Sequence, residues 1–335
     1  MASRLKRREP VVAGFIRLLR RELKAVDAAL RDEKETPEER THIARRRLKK
    51  ARSLVAALAP AIGRRVADRE RRRLRDAARL LSQSRDADVA VKTVRDLIVY
   101  DGDEATAPLE RLLAVLEARA AEARSQSSPL EPAAEEVRRA LEIIAKLDEK
   151  SGGDEKGEKH LGEKRLRKAL GTAYDAGRET MAVAMETSEA EAFHEWRKAV
   201  KHRAHLTGFA ARRLAAASPP VITALDRLGD ILGDANDLSV VEEIVAGEPE
   251  IVGTPSEAAT VIGVITRRRE ELRAQAFVLG EALFGQGPRR FRRGLHAPAD
   301  DTPATREEES PTPSPTAGIG LAASIVRPLP MVSEE

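Results

Sequence analysis

Apolar side chains recur three and four residues apart along nearly the whole chain: Phe15, Leu18, Leu19, Leu23, Val26 and Leu30, then Leu109, Leu112, Leu113 and Leu116, then Val137, Leu141, Ile144 and Leu147. This spacing gathers them on one side of an α-helix. No stretch alternates apolar and polar residues between turn signals as a half-buried strand does, so the chain reads as all-α. Breaks fall at Glu35-Thr36-Pro37, Ala59-Pro60 with Gly63, Asp101-Gly102, Ser128-Pro129, Ser218-Pro219-Pro220 and Gly253-Thr254-Pro255. They leave helices of roughly 15 to 28 residues.

Two segments depart from the pattern. Residues 149–164, EKSGGDEKGEKHLGEK, are poor in apolar residues and carry glycines, which predicts a solvated linker with His160 inside it. From about Gly294 the composition turns to Pro, Thr, Ser, Glu and Ala, which predicts a disordered tail over 291–335. Between them lie a first helical half, 8–148, and a second, 165–290.

The halves repeat. THIARRRLKKARSL (41–54) returns as FHEWRKAVKHRAHL (193–206), pairing His42 with His194, Arg45 with Arg197 and Lys49 with Lys201 at an offset of 152. LLSQSRDADV (80–89) returns as ILGDANDLSV (231–240), pairing Leu81 with Leu232, Asp86 with Asp237 and Val89 with Val240 at 151. Two blocks sharing nearly one offset indicate a tandem duplication, two helical bundles facing each other across a pseudo-twofold axis.

Charge changes the picture by its placement. The chain has 335 residues, 34% of them charged, yet a net charge of only +4. Residues 41–52 nonetheless hold six basic side chains and no acid, although like charges a turn apart cost about 0.2–0.5 kcal/mol per pair. On a helical wheel His42, Arg45, Arg46, Lys49 and Arg52 share one face, opposite Ala44, Leu48, Ala51, Leu54, Val55 and Leu58. In the second copy His194, Arg197, Lys198, Lys201 and His205 share the polar face, and Trp196, Val200 and Leu206 the apolar one. The following helix adds Arg69 and Arg73, and Arg72, Arg75 and Arg79 on one face; its counterpart carries Asp226 and Asp230 where the first copy has Arg75 and Arg79. The first half is therefore expected to bind anions more strongly, with Arg267, Arg268, Arg269 and Arg273 compensating in part from the last long helix.

An anion with repeating phosphates suits these stripes: arginine offers paired donors, lysine a compact charge, and a protonated histidine a further donor. Catalytic chemistry finds less support. There is no cysteine, no glycine-rich phosphate loop and no second set of carboxylates for magnesium. His202 and His205 stand a turn apart, but cations surround them and would repel a metal. Asp86 and Asp237 are expected to be helix N-caps and Trp196 a core residue. No run of about twenty apolar residues or signal peptide is present, and Glu9, Glu22 and Asp27 argue against a transit peptide, so a soluble cytoplasmic protein without cofactors is expected. Nucleic acid is the competing ligand class, but aromatics make up only 3% of residues and none interleaves with the first stripe, so base stacking is poorly served.

The blocks HIARRRLKKAR and HEWRKAVKHR, with SRDADV and LGDANDLSV, resemble the CHAD family, the helical domain named for its histidines. The resemblance covers about 8–290 and implies two four-helix bundles around a basic central surface that binds inorganic polyphosphate without hydrolysing it. It further implies ligand contacts from His42, Arg45, Lys49, Lys50 and Arg52, and from His194, Arg197 and Lys201. Association with polyphosphate granules is the matching expectation for localisation, and the basic stripes themselves would permit weak competition by nucleic acid. A departure is Ala204, where a basic residue is common, with Arg203 next to it on the expected apolar face. A histidine phosphoacceptor or phosphatase is the remaining reading, and the missing metal-binding carboxylates count against it.

Overall fold

The computed structural model describes residues 4–81, 83–102, 104–125, 130–150, 155–211 and 213–296. Within them the regular structure is helical: α1 (Val11–Arg31), α2 (Pro37–Ile62), α3 (Arg64–Leu80), α4 (Gln83–Asp101), α5 (Thr106–Ser125), α6 (Leu130–Lys150), α7 (Glu155–Thr187), α8 (Ala190–Ala210), α9 (Pro219–Gly247), α10 (Pro255–Phe284) and α11 (Pro288–Gly294). Short 3-10 turns at Ala215–Ala217 and Pro249–Ile251 complete the chain path.

Local chemistry sets the helix ends. Thr36 Oγ1 accepts from Glu39 N to cap α2, and Thr254 and Glu257 form a reciprocal capping box on α10. Pro37, Pro219 and Pro255 occupy first helical positions, where a missing N–H is harmless. Helix α2 runs through Pro60 and stops at Gly63, whose φ of 88° a residue with a Cβ rarely adopts.

Helices α1, α2, α3 and α6 close one four-helix bundle, each packed on two others, and α7, α8, α9 and α10 close a second. The first core is built on Leu18, Leu19, Leu48, Leu54 and Leu74, all fully buried. Trp196 anchors the second: it is 0% exposed and stacks on Phe277 at 5.3 Å.

Three features depart from the sequence reading. First, the expected linker at 149–164 is mostly helix, since α6 extends to Lys150 and α7 starts at Glu155, while 151–154 lie outside the described residues. Its Gly162 serves close packing: a Cβ there would stand 3.0 Å from Val11 Cβ. Second, the cores do not divide where the sequence halves do. The α4–α5 hairpin contributes Val94, Leu97, Leu109, Leu112 and Leu116 to the second core, packing on α9 and α10. Conversely Leu206 and Phe209 of α8, and Leu214 after it, join the first. Third, α11 occupies the start of the expected tail, with Phe291 stacked on Tyr174 at 3.9 Å and Leu295 buried. Residues 297–335 lie outside the described residues.

Candidate functional site

The two basic stripes lie on α2 and α8, and these helices touch. Ser53 Oγ and His205 Nδ1 are 2.9 Å apart, and they are separated by 152 residues, the offset of the duplication itself. Equivalent positions of the two copies thus meet each other, which places the pseudo-twofold axis between Ser53 and His205. Lys50 and His202 are a second equivalent pair by the same offset.

Around this axis cations crowd. Burial first, then Arg71 and Arg75 of α3, push the Arg52 guanidinium below its ordinary value. His202 is pushed down to about 4 by burial and by Arg71. His205 falls to about 3 through burial, Lys50, His202, Lys201 and Lys49. Both rings are neutral near pH 7. Arg46 and Arg72 are exposed and Lys50 half-buried, and none of the three has an ion-pair partner among the described residues. Arg75 and Arg79 are exposed on α3; Arg75 leans on Asp76 at 3.4 Å. His42 and Lys49 are exposed on α2.

Arg45 of α2 and Arg197 of α8 each reach the helix that follows their own. Arg45 Nη1 donates to Ala78 O of α3 at 2.9 Å, and Nη2 stands 3.8 Å from Asp86. Arg197 lies across α9, where a Cβ on Gly233 would stand 3.0 Å from its Nη2, and Lys201 crosses Gly229 in the same way. These glycines let α8 side chains lie against the α9 backbone. His194 Nδ1 is 2.8 Å from Asn236 Oδ1. The donor there must be Nδ1–H, which leaves Nε2 as the basic nitrogen.

The halves differ in what surrounds these groups. Lys201 Nζ donates to Asp230 Oδ1 at 2.8 Å, and Lys198 Nζ to Glu195 Oε1 at 2.5 Å. Asp226, Asp230 and Asp234 are exposed on α9, whereas the equivalent helix of the first half, α3, exposes arginines. Burial, followed by Asp237, Asp230 and Asp96, holds the Asp234 carboxyl above the usual range against the pull of Lys92.

Several expectations need correction. Asp237 is no N-cap, because α9 runs unbroken from Pro219 to Gly247; Asp86 lies inside the first turn of α4. The cations of α10 do not supplement the site. Arg267 pairs with Glu104, Arg268 with Glu271 and Arg269 with Glu242, while Arg273 donates to Ser188 O and stacks over Phe193 at 4.1 Å. Arg203 is buried as a structural cation: its guanidinium sits among Tyr174, Phe284 and Phe291 at 4.5 to 5.2 Å and donates to Leu283 O at 2.9 Å. Sequence reasoning missed Ser53 and Arg71 as parts of the axial cluster and His202 as more than a rejected metal ligand. The 152-residue offset, applied to every position of α2, would have paired Ser53 with His205 and Lys50 with His202.

Among the described residues no cluster of three or more histidines and carboxylates is arranged to hold a metal ion, and no helix is long and apolar enough to cross a membrane. Comparison with known proteins agrees with this architecture. A plant protein structure, the crystal structure of the CHAD domain from Ricinus communis, superposes with a TM-score of 0.51 at 18% identity, over 89% of this chain and 94% of that one. No curated protein matches. The family model of the CHAD domain matches residues 14–246, most of the chain, and the protein therefore belongs to the CHAD family.

Proposed function

We propose that the protein binds inorganic polyphosphate, without turning it over, on the cationic surface that α2, α3 and α8 share at the pseudo-twofold axis. The observation that carries this reading is the crowding of like charge: beside the effect of burial, Arg71 and Arg75 bear on Arg52, and Lys49, Lys50 and Lys201 bear on His205. A fold that assembles such repulsion from two copies of one motif has it relieved by a polyanion, and a chain of phosphates spans both copies where a single phosphate cannot. Lys and Arg supply the charge; the histidines of the two motifs, His42 and His194, flank the stripe as further hydrogen-bond donors. The cytoplasm and polyphosphate granules are the setting in which such a ligand is met.

The test is a titration of the purified protein with long-chain polyphosphate, competed by single- and double-stranded DNA at matched phosphate concentration and physiological salt. Preference for polyphosphate by orders of magnitude supports a dedicated site. Equal competition by DNA reduces the stripes to a general cationic surface. Release of phosphate during the titration, lost in His42→Ala, would overturn the non-catalytic reading.

A further inference from the structure

The imidazoles at the axis are unlike the surrounding cations, since each can change its charge. Ser53 Oγ donates to Lys49 O at 3.3 Å, so His205 Nδ1–H donates to Ser53 Oγ and leaves Nε2 as the nitrogen able to take a proton. His202 lies one turn back on the same face of α8. From α2 the pair faces Lys49 and Lys50, and from α3 Arg71; on α8 itself it faces Lys201, whose ammonium is held by Asp230 of α9. Helix α7 presents the apolar Leu166, Leu170 and Ala173 to the first core, which Leu206 of α8 also enters.

We propose, resting on the polyphosphate reading above, that His202 and His205 form a proton-linked pair, each taking up a proton from solvent when a phosphate chain crosses the axis. The proton comes from water or buffer, and no bond of the ligand breaks. Burial and neighbouring cations hold both rings neutral while the site is empty, at about 4 and about 3. An adjacent row of phosphates opposes the repulsion from Lys49, Lys50, Lys201 and Arg71 and offers each imidazolium an anionic acceptor. Binding thus raises both pKa values. The affinity gained is largest at low pH and is lost as pH rises through the values of the bound state. Each full proton taken up changes affinity by at most about tenfold per pH unit.

Calorimetric titration with long-chain polyphosphate, whose few chain ends contribute little titration of their own, tests this in two buffers of different ionisation enthalpy at about pH 6. The expected result is a binding heat that differs between buffers by the protons taken up, and an affinity that falls as pH is raised. His205→Gln and His202→Gln keep hydrogen-bonding capacity but cannot charge; each should lose part of the uptake, and the double variant should flatten the pH profile while still binding. Ring carbon shifts of the wild-type protein, read by NMR with and without ligand, report the charge directly should a variant fail to fold. Wild-type binding with buffer-independent heats would overturn the proposal alone, as would uptake undiminished in the double variant, which would transfer it to His42 and His194. No binding by the wild type at all would overturn the polyphosphate reading along with it.

Discussion

Asp230→Asn removes one carboxylate from the α9 edge at almost unchanged size, and it should tighten polyphosphate binding. Asp230 accepts from Lys201 at 2.8 Å with its side chain 73% exposed, and a pair so exposed contributes only about 0.2–1 kcal/mol to stability. The fold should therefore lose no more than that. For a phosphate seated on Lys201, Asp230 is a like charge at about 7 Å; in water the repulsion is ~0.6 kcal/mol before screening, which corresponds to a two- to threefold gain in affinity on its removal. The released ammonium also adds one phosphate contact, so the slope of log affinity against log salt should steepen by ~0.7 for a flexible single-stranded polyanion. Affinity measured across a potassium chloride series gives both quantities from one data set. An unchanged slope with unchanged affinity would show that the chain does not reach Lys201, and weaker binding would show that Asp230 holds Lys201 in the binding geometry.

Arg45→Ala with Lys49→Ala should weaken polyphosphate binding more than Arg197→Ala with Lys201→Ala, because α3 adds arginines beside the first pair and α9 adds aspartates beside the second; equal losses in the same titration would remove the asymmetry. Gly280→Ala should destabilise by about 1–3 kcal/mol in denaturant unfolding, since its Cβ would stand 2.6 Å from Trp196 Cζ2 and 2.8 Å from Met181 Sδ. Arg203→Ala should cost about 2–4 kcal/mol in the same assay, by emptying the aromatic enclosure and leaving Leu283 O unpaired, with polyphosphate affinity unchanged. Loss of affinity there, in protein that remains folded, would place Arg203 in the site.

Helix boundaries were legible because their signals are local: Thr36, Ser218, Thr254 and Gly63 each end or begin a helix through atoms within a few residues. The axis was legible in outline from the 152-residue offset, and in detail it needed only the pairing of Ser53 with His205. The α4–α5 hairpin was not, because Val94, Leu97, Leu109 and Leu112 show a helical apolar face without showing which of two similar cores receives it. Glycine misled at Gly162, where composition suggests freedom and packing against Val11 supplies the reason instead. Arg203 misled for the opposite cause: its burial depends on Tyr174, Phe284 and Phe291, which come from α7, α10 and α11 and share no local pattern with it. Asp237 looked like a cap only because its first-half counterpart, Asp86, stands where α3 gives way to α4; in α9 no such interruption exists.

The same hairpin gives the protein an order of assembly. Its apolar face is made early in synthesis but belongs with Val261, Val264 and Ile265 of α10, which follow Ala120 by roughly 140 residues. At about 5–20 residues per second that is an interval of roughly 7 to 30 s. During it the nascent chain can close α1, α2, α3 and α6 around the first core while α4 and α5 wait, first for α9 and then for α10. A chain cut between the sequence halves would therefore leave an apolar hairpin on one fragment and an unroofed core on the other. Full-length protein should unfold with both cores coupled, and ribosome-bound chains that end before α10 should be the ones that chaperones hold.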